Sequence, residues 1–484
     1  MAGRNLLIIM SDEHSRKWLG CYGSAIAKTP NLDALAARGI TYTDAYSASP
    51  ICVPARAAFA TGKYLHQIGY WDNADAYDGA VPSWHHVLRA RGHRVVSIGK
   101  LHFKGPEYDY GFTEQLVPMH IPEGLGDLMG LLRDEVIERS GASKMARMAS
   151  PGESDYTRYD RNIADAAVKW IKKDGAVTAA KPWALFVSFV APHFPLTAPP
   201  EFYSLYPHEA LPLPKLYSQA QRPTHPHLRF YASNLDYDRH FENESAVRRA
   251  IAGYLGLCSY LDSNVGRVLG ALDEAQLLAD TTVIYTSDHG DNLGARGVWG
   301  KSTMYEEAVG VPLILAGASD AAGTRCDTPV SHIDLYPLIL EHFGIAAPGR
   351  TEGYHGISPA RNDFADAAAP RGVLSEYHAT GSAAGIFMLR WRNWKLVHYV
   401  NQAPELYDLA TDPEELRDLA GEPRFQSIVR DLNERLRTVC DPADVDRRAR
   451  QRQREIVASV GGREAILARG DIGYSPAPKA GGLK

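Results

Sequence analysis

Cys52 stands two residues before Pro54 and four before Arg56, in Ser49-Pro50-Ile51-Cys52-Val53-Pro54-Ala55-Arg56. The spacing predicts a helix over 55–61, because proline suits a first helical turn and the alanines that follow extend it. A group at a helix N-terminus meets unpaired N–H groups and the positive end of the helix dipole, which favour an anion. Arg56 adds a fixed positive charge beside it. These are the residue types of a nucleophile that handles an oxyanion. A lone cysteine is also commonly a small buried hydrophobe, so the reading depends on partners elsewhere in the chain.

Candidate partners recur. Asp12-Glu13 closes the apolar run 5–10, and Lys100 and His102 follow the run 94–98. His193 lies in Pro192-His193-Phe194-Pro195 after the run 182–190. Asp288-His289-Gly290-Asp291 follows 282–286, and Lys301 comes ten residues on from it, after Gly300. Each has an ordinary structural reading: an Asp at such a turn caps a helix, a loop Asn such as Asn73 makes turns, and a His between prolines stiffens a loop. Adjacent carboxylates, however, are costly at a strand end unless they are solvated or bind a cation. Lys100 and His102, two apart, would project to one side of an extended segment.

The elements that must position these groups are the apolar runs themselves. Continuous runs such as Leu6-Leu7-Ile8-Ile9-Met10 read as strands buried on both faces of a parallel sheet. Open α/β sheets bind ligands outside the carboxyl ends of their strands. Asp12, Lys100, His193 and Asp288 all fall at such ends, and cationic side chains beside carboxylates point to a metal ion and a tetrahedral anion. A periodic apolar pattern over 247–272 predicts a long helix. Segments 386–392 and 394–399 alternate around Asn393 like a hairpin, and 405–409 adds a strand.

Composition bounds the alternatives. The chain has 484 residues, 45% hydrophobic, with a net charge of −5. That balance argues against general nucleic-acid binding, which needs a concentrated basic surface. Five scattered cysteines are unlike a disulfide framework. The first residues lead directly into the first strand-like run with no signal-peptide pattern, and no apolar run approaches a membrane span, so a cytoplasmic protein without membrane contact is expected. The stretch 117–158 is polar and Gly/Met-rich and reads as a loop or short-helix insertion at the mouth of a site. The His/Tyr-rich stretch 224–240 fits no metal motif and reads as a surface excursion near a substrate entrance.

Cys52-Val53-Pro54-Ala55-Arg56 resembles the C-x-[PS]-x-R core of the type I sulfatases of the alkaline phosphatase superfamily. The other motifs agree: the acidic pair at Asp12-Glu13, T-P-N-L-D-x-L-A from Thr29, D-N-A at Asp72-Asn73-Ala74, G-K-x-H at Gly99–His102, P-H-x-P at Pro192–Pro195, S-D-H-G-D with Lys301 after it, and E-L-Y-D-L-x-x-D-P-x-E from Glu405. The wording is closest to the choline-sulfatase, arylsulfatase and phosphonate monoester hydrolase branch. The resemblance implies an α/β fold, with a doubly wound, mixed, mostly parallel central sheet and helices on both faces. A small C-terminal antiparallel sheet subdomain and a helical tail follow. The expected division is 1–360 catalytic, 361–425 antiparallel subdomain and 426–484 tail, the last building a homodimer or homotetramer.

The resemblance also implies chemistry. Cys52 is converted by a formylglycine-generating maturation enzyme, and the hydrated aldehyde is the nucleophile of sulfate monoester hydrolysis. Asp12, Glu13, Asp288, His289 and the modified Cys52 hold one divalent metal, calcium by family habit and manganese as the alternative that an imidazole ligand favours. Asp288 accepts the nucleophile's proton, while Arg56, Lys100 and Lys301 offset charge on the transferring group. His193 with Lys301 serves the leaving group, His102 removes a proton from the sulfated hemiacetal, and Asn73 lies against the sulfate. Choline sulfatases place an aromatic cradle in the insertion, and no Trp lies between Trp84 and Trp170, which argues against choline. The main rival is a phosphonate monoester or phosphodiester hydrolase, whose usual uncharged hydroxyl residues are replaced here by Lys100 and His102. Two others are a cysteine phosphatase using the Cys52 thiolate and a non-catalytic metal- or sulfate-binding relative.

Overall fold

The computed structural model describes residues 4–177, 181–317, 322–349, 372–471 and 473–478. Its centre is an eight-stranded sheet made of β1 (Asn5–Asp12), β2 (Gly39–Tyr42), β3 (Val95–Lys100), β4 (Glu114–Met119), β5 (Ala184–Pro192), β6 (Thr281–Ser287), β7 (Leu313–Ala316) and β8 (Thr324–Cys326). The spatial order is β8-β2-β7-β6-β1-β5-β3-β4. Only β7 runs against its neighbours β6 and β2; the other pairings are parallel.

Alternation along β1 shows why the run is apolar throughout. Leu7 and Ile9 face one layer with Ile163 and Ala167 of α3 (Asp155–Trp170) and Leu261 and Val265 of α4 (Glu244–Glu274). Leu6, Ile8 and Met10 face the opposite layer. There they meet Ala57 and Phe59 of α1 (Cys52–Thr61), Trp84 and Leu88 of α2 (Trp84–Ala90), and Ile339 of α5 (Leu335–His342). Each large aliphatic side chain buried this way contributes roughly 1.5–3 kcal/mol, so both faces must be apolar. The sheet is therefore doubly wound, as expected.

Register then aligns the strand ends. Ser11 lies opposite Ser287 in β6, and Asp12 opposite Pro192 in β5 after a local irregularity following Met10. Gly99 lies opposite Ser188. The order β6-β1-β5-β3 therefore sets Asp288, Asp12, His193 and Lys100 along one edge. Two local readings differ from the sequence expectation. α1 begins at Cys52 itself, with Ile51 as its extended N-cap; its other end closes on Gly62, whose φ of 68° and contact with the Tyr336 ring leave no room for a Cβ. β3 ends at Lys100, and His102 has φ 57°, so Lys100 and His102 do not alternate along one extended edge.

The C-terminal sheet comprises β9 (Val373–Tyr377), β10 (Ile386–Trp391), β11 (Trp394–Tyr399) and β12 (Glu405–Asp408), antiparallel in that order. It is followed by α6 (Gln426–Val439), α7 (Pro442–Ser459) and α8 (Gly462–Arg469). The expected boundary near residue 360 lies outside the described residues. The sheet shares apolar clusters with the rest of the chain, through Tyr64, Leu65 and Trp71 on one side and Tyr46 and Ile51 on the other. Among the described residues no helix is long and apolar enough to cross a membrane.

A buried ion cluster fastens this sheet. Lys395 Nζ lies 2.8 Å from Glu306 Oε1 and 2.7 Å from Glu415 Oε1, and all three side chains are buried. Arg16 also pairs with Glu306, and Glu415 accepts from the Glu306 backbone N–H at 2.8 Å. Against the opposing effect of burial, Lys395 and Arg16 hold the Glu306 carboxyl down at about 2. A carboxylate depressed in this way stabilises the fold above its unfolded pKa, and that contribution is lost as pH falls towards the folded value. Removing one member strands buried charge, so Lys395→Met should cost about 3–5 kcal/mol, read as a lower denaturation midpoint. A midpoint equal to that of the parent protein would contradict this account of the sheet's attachment.

Candidate active site

The sequence-predicted residues converge at the carboxyl edge, around the first turn of α1. Asp12, Cys52, Asp288 and His289 each present a ligand atom, and these atoms lie within 4.8 Å of one another in fully buried surroundings. His289 Nε2 is 3.1 Å from Cys52 Sγ, and its Nδ1 is 3.0 Å from the Gly290 carbonyl. A carbonyl can only accept, so Nδ1 carries the proton and Nε2 presents its lone pair, the tautomer a metal ligand needs. Asp288 Oδ1 accepts from the backbone N–H groups of Glu13 and His289 at 3.2 and 2.9 Å. Glu13 stands apart from this group. Its carboxylate instead joins Asp12 and His193 in a second trio, 3.4 Å from His193 Nε2 and 3.5 Å from Lys301 Nζ.

Arg56, one turn into α1, is fully committed. Its Nε donates to Asp288 at 2.8 Å and Nη2 to Asp12 at 3.1 Å, while Nη1 reaches the Lys100 carbonyl and Ser188 Oγ, each at 2.9 Å. Lys100 Nζ adds a 2.5 Å pair to Asp12. Burial opposes ionisation of Asp12, but Lys100, His193 and Arg56 hold its carboxyl well below the usual range. Arg56 is raised in turn: burial works against it, Asp288 and Asp12 in its favour. The guanidinium thus holds the acidic groups together, and it does not line the cavity described below.

Lys301 bridges Cys52 and the next histidine. Its Nζ lies 3.1 Å from Cys52 Sγ and 2.8 Å from His193 Nε2. His193 Nδ1 is 2.6 Å from the Phe194 carbonyl, so Nε2 is the acceptor facing the ammonium. Burial, then Lys301, pushes His193 well below its ordinary pKa, and burial followed by Lys100 does the same to His102. Lys301 itself is raised well above the usual range, because Cys52, Glu13 and Asp12 outweigh burial. Burial, then Asp12, pushes the Cys52 thiol up to about 11. As a bare thiol it is a poor nucleophile at neutral pH.

A cavity of about 130 Å³ opens over this cluster, lined by Cys52, Lys100, His102, His193 and Lys301. Asn73 also lines it, while its Oδ1 accepts from Val53 N–H at 3.1 Å and so caps the first turn of α1. The outer wall is aromatic and polar. Tyr231 and Tyr237 come from the His/Tyr-rich excursion, as its composition anticipates. Asp127, Arg139 and Met145 come from the insertion 117–158. Tyr156, at the start of α3, also falls in that insertion, whereas Tyr474 and Ser475, from the chain's last described segment, carry no motif; their only sequence signal is an aromatic or polar residue in an otherwise unpatterned stretch.

The family profile described as Sulfatase matches residues 4–345, and that described as N-sulphoglucosamine sulphohydrolase, C-terminal, matches residues 294–441. The chain is 32% identical over 428 residues to the choline-sulfatase of Rhizobium meliloti (strain 1021), covering 87% of this chain and 83% of that protein. It is 29% identical over 472 residues to arylsulfatase K of Mus musculus, covering 93% and 82%. The phosphonate monoester hydrolase of Silicibacter pomeroyi superposes with a TM-score of 0.71 at 24% identity, over 90% of this chain and 94% of that one. A 2-O GAG sulfatase does so with a TM-score of 0.69 at 22% identity, over 99% and 98%. At these identities the solved structures speak for the fold, whereas the profile spans most of the chain. The chain belongs to the sulfatase family.

Proposed function

We propose that this protein hydrolyses organic sulfate monoesters to an alcohol or phenol and sulfate, working at Cys52. The observation that carries this reading is the convergence on Cys52 Sγ of a metal-type ligand group from one side and the Lys301 ammonium from the other. A tetrahedral anion above Cys52 would meet Lys100, Lys301 and the two imidazoles, all of which line the cavity.

The donor set Asp12, Asp288, His289 and the modified Cys52 fits one divalent ion, with His289 held in the ligating tautomer by Gly290. Family habit favours calcium, and the imidazole leaves manganese as the alternative. When bound, the ion supplies Lewis acidity, and the formylglycine made from Cys52 by a maturation enzyme supplies an oxygen nucleophile. Asp288 takes up the nucleophile's proton. Arg56 keeps Asp12 and Asp288 side by side, a positioning role that replaces the direct contact with the transferring group expected from the motif. Lys100 and Lys301 face the sulfate oxygens, where charge accumulates as the ester bond breaks. Lys301 and His193, already in contact, deliver a proton towards the departing oxygen, and His102 accepts one in the step that frees the sulfate. Asn73 orients the first turn of α1 under the anion. The aromatic wall of Tyr156, Phe194, Tyr231 and Tyr237 receives the organic group. We also propose the domain division given above, with the helical tail available for self-association.

Two outcomes test the reading. In a panel of an aryl sulfate, an aryl phosphonate monoester and a phosphodiester, the sulfate ester should have the highest kcat/KM; a phosphonate maximum would place the protein with the rival reaction. Lys301→Ala should lower kcat/KM for the sulfate ester by about 10²–10³-fold, the loss typical of one preorganised donor to a developing anion. A loss below about threefold would remove Lys301 from the chemistry.

A further inference from the structure

The last described segment of the chain returns to the catalytic edge. His102 Nε2 lies 2.8 Å from Ser475 Oγ, across 373 residues of sequence. Ser475 is buried, and its carbonyl accepts from the Tyr156 hydroxyl. The chain is fastened in the residues leading up to this contact. Asp471 Oδ2 accepts from the Ser140 N–H and hydroxyl at 2.7 and 2.9 Å, and Arg139 reaches its other oxygen at 3.3 Å. The Tyr474 ring stands edge-on to Tyr156 and Phe194, with centroids 5.4 and 5.6 Å away. Upstream, Arg469 pairs with Glu123 at 2.9 Å, and Ile466 of α8 is buried with Ala74, Leu128 and Leu131.

The other restraints on His102 act on its backbone. Its N–H donates to the Met119 carbonyl at 2.8 Å, and its φ of 57° is one that few side-chain-bearing residues adopt. The imidazole Nδ1 is buried and has no hydrogen-bond partner among the described residues, although His102 lines the cavity. Ser475 is therefore the hydrogen-bond partner that holds the ring through Nε2, and it leaves Nδ1 without one among the described residues.

We propose that Ser475, in the described segment 473–478, is a positioning residue that fixes the imidazole of His102 for its part in turnover. The proposal rests on the sulfate-ester reading above and adds to it a role for the end of the chain. Its consequence is that the catalytic edge is completed only when the C-terminal segment is seated.

Kinetics on an aryl sulfate with the full-length protein test it. Ser475→Ala should lower kcat by about 10- to 100-fold, the usual effect of removing the partner that orients a functional histidine, with KM changed less than about threefold. Ser475→Thr, which keeps the hydroxyl, should recover most of the rate. In a His102→Ala background Ser475→Ala should have no further effect, because the two act as one unit. Unchanged kcat in Ser475→Ala, or the same loss with and without His102, would overturn the proposal. If the parent protein turned over no sulfate ester, the functional reading would fail by itself. The contact would still be tested by NMR of the protein labelled on histidine side chains, with the His102 signals identified by their loss in His102→Gln. Ser475→Ala must then shift the His102 imidazole resonances, and unshifted resonances would refute the contact.

Discussion

A single buried guanidinium ties the catalytic edge together. Arg56 reaches from the first turns of α1 to Asp288 beside β6, Asp12 at the end of β1, the Lys100 carbonyl at the end of β3 and Ser188 in β5. Two carboxylates fully removed from water repel one another and resist ionisation. Burying ions costs several kcal/mol each unless geometry and hydrogen bonding compensate. The fork shape of arginine meets both carboxylates at once, which a lysine's point charge could not do. With α1 keyed to four strands in this way, Cys52 is brought to 3.1 Å from both His289 and Lys301. The helix that bears Cys52 and the sheet that bears its neighbours are therefore positioned by the same bonds.

The C-terminal part of the chain extends that arrangement. Lys395 and Glu415 grip Glu306, five residues beyond Lys301. Gln453 of α7 donates to Asp72 at 2.8 Å, next to the Asn73 that caps α1. Ser475 then reaches His102. Three C-terminal parts of the chain thus bear on three different segments of the site. Residues that look like a helical appendage in sequence are part of what holds the residues of the candidate site in place.

Much of this was legible in the sequence, for physical reasons. The strands of a parallel sheet are buried on both faces, so β1, β5 and β6 appear as unbroken apolar runs, and the polar residues that end them stand out. Asp12, Lys100, His193 and Asp288 could be placed at one edge on that basis. The short strands β2 and β8 carry too few apolar residues to register. The local conformation of His102 was hidden as well, because a left-handed backbone at a non-glycine residue is imposed by tertiary contacts. Glu13, the weaker of the two candidate ligands at this strand end, has its carboxylate with His193 and Lys301. Neighbours in a strand-end turn need not point the same way, and no sequence spacing reveals it. Tyr474 and Ser475 belong to a stretch without periodicity, whose position depends entirely on what it packs against.

The central claim is that Cys52 acts as the precursor of an oxygen nucleophile. The mass of the tryptic peptide containing Cys52, measured on protein with sulfatase activity and set beside the activity of Cys52→Ala, tests it most directly. The account predicts a peptide whose mass corresponds to the aldehyde in place of the thiol, and an inactive variant. An unmodified thiol in fully active protein, or an active Cys52→Ala, would contradict it.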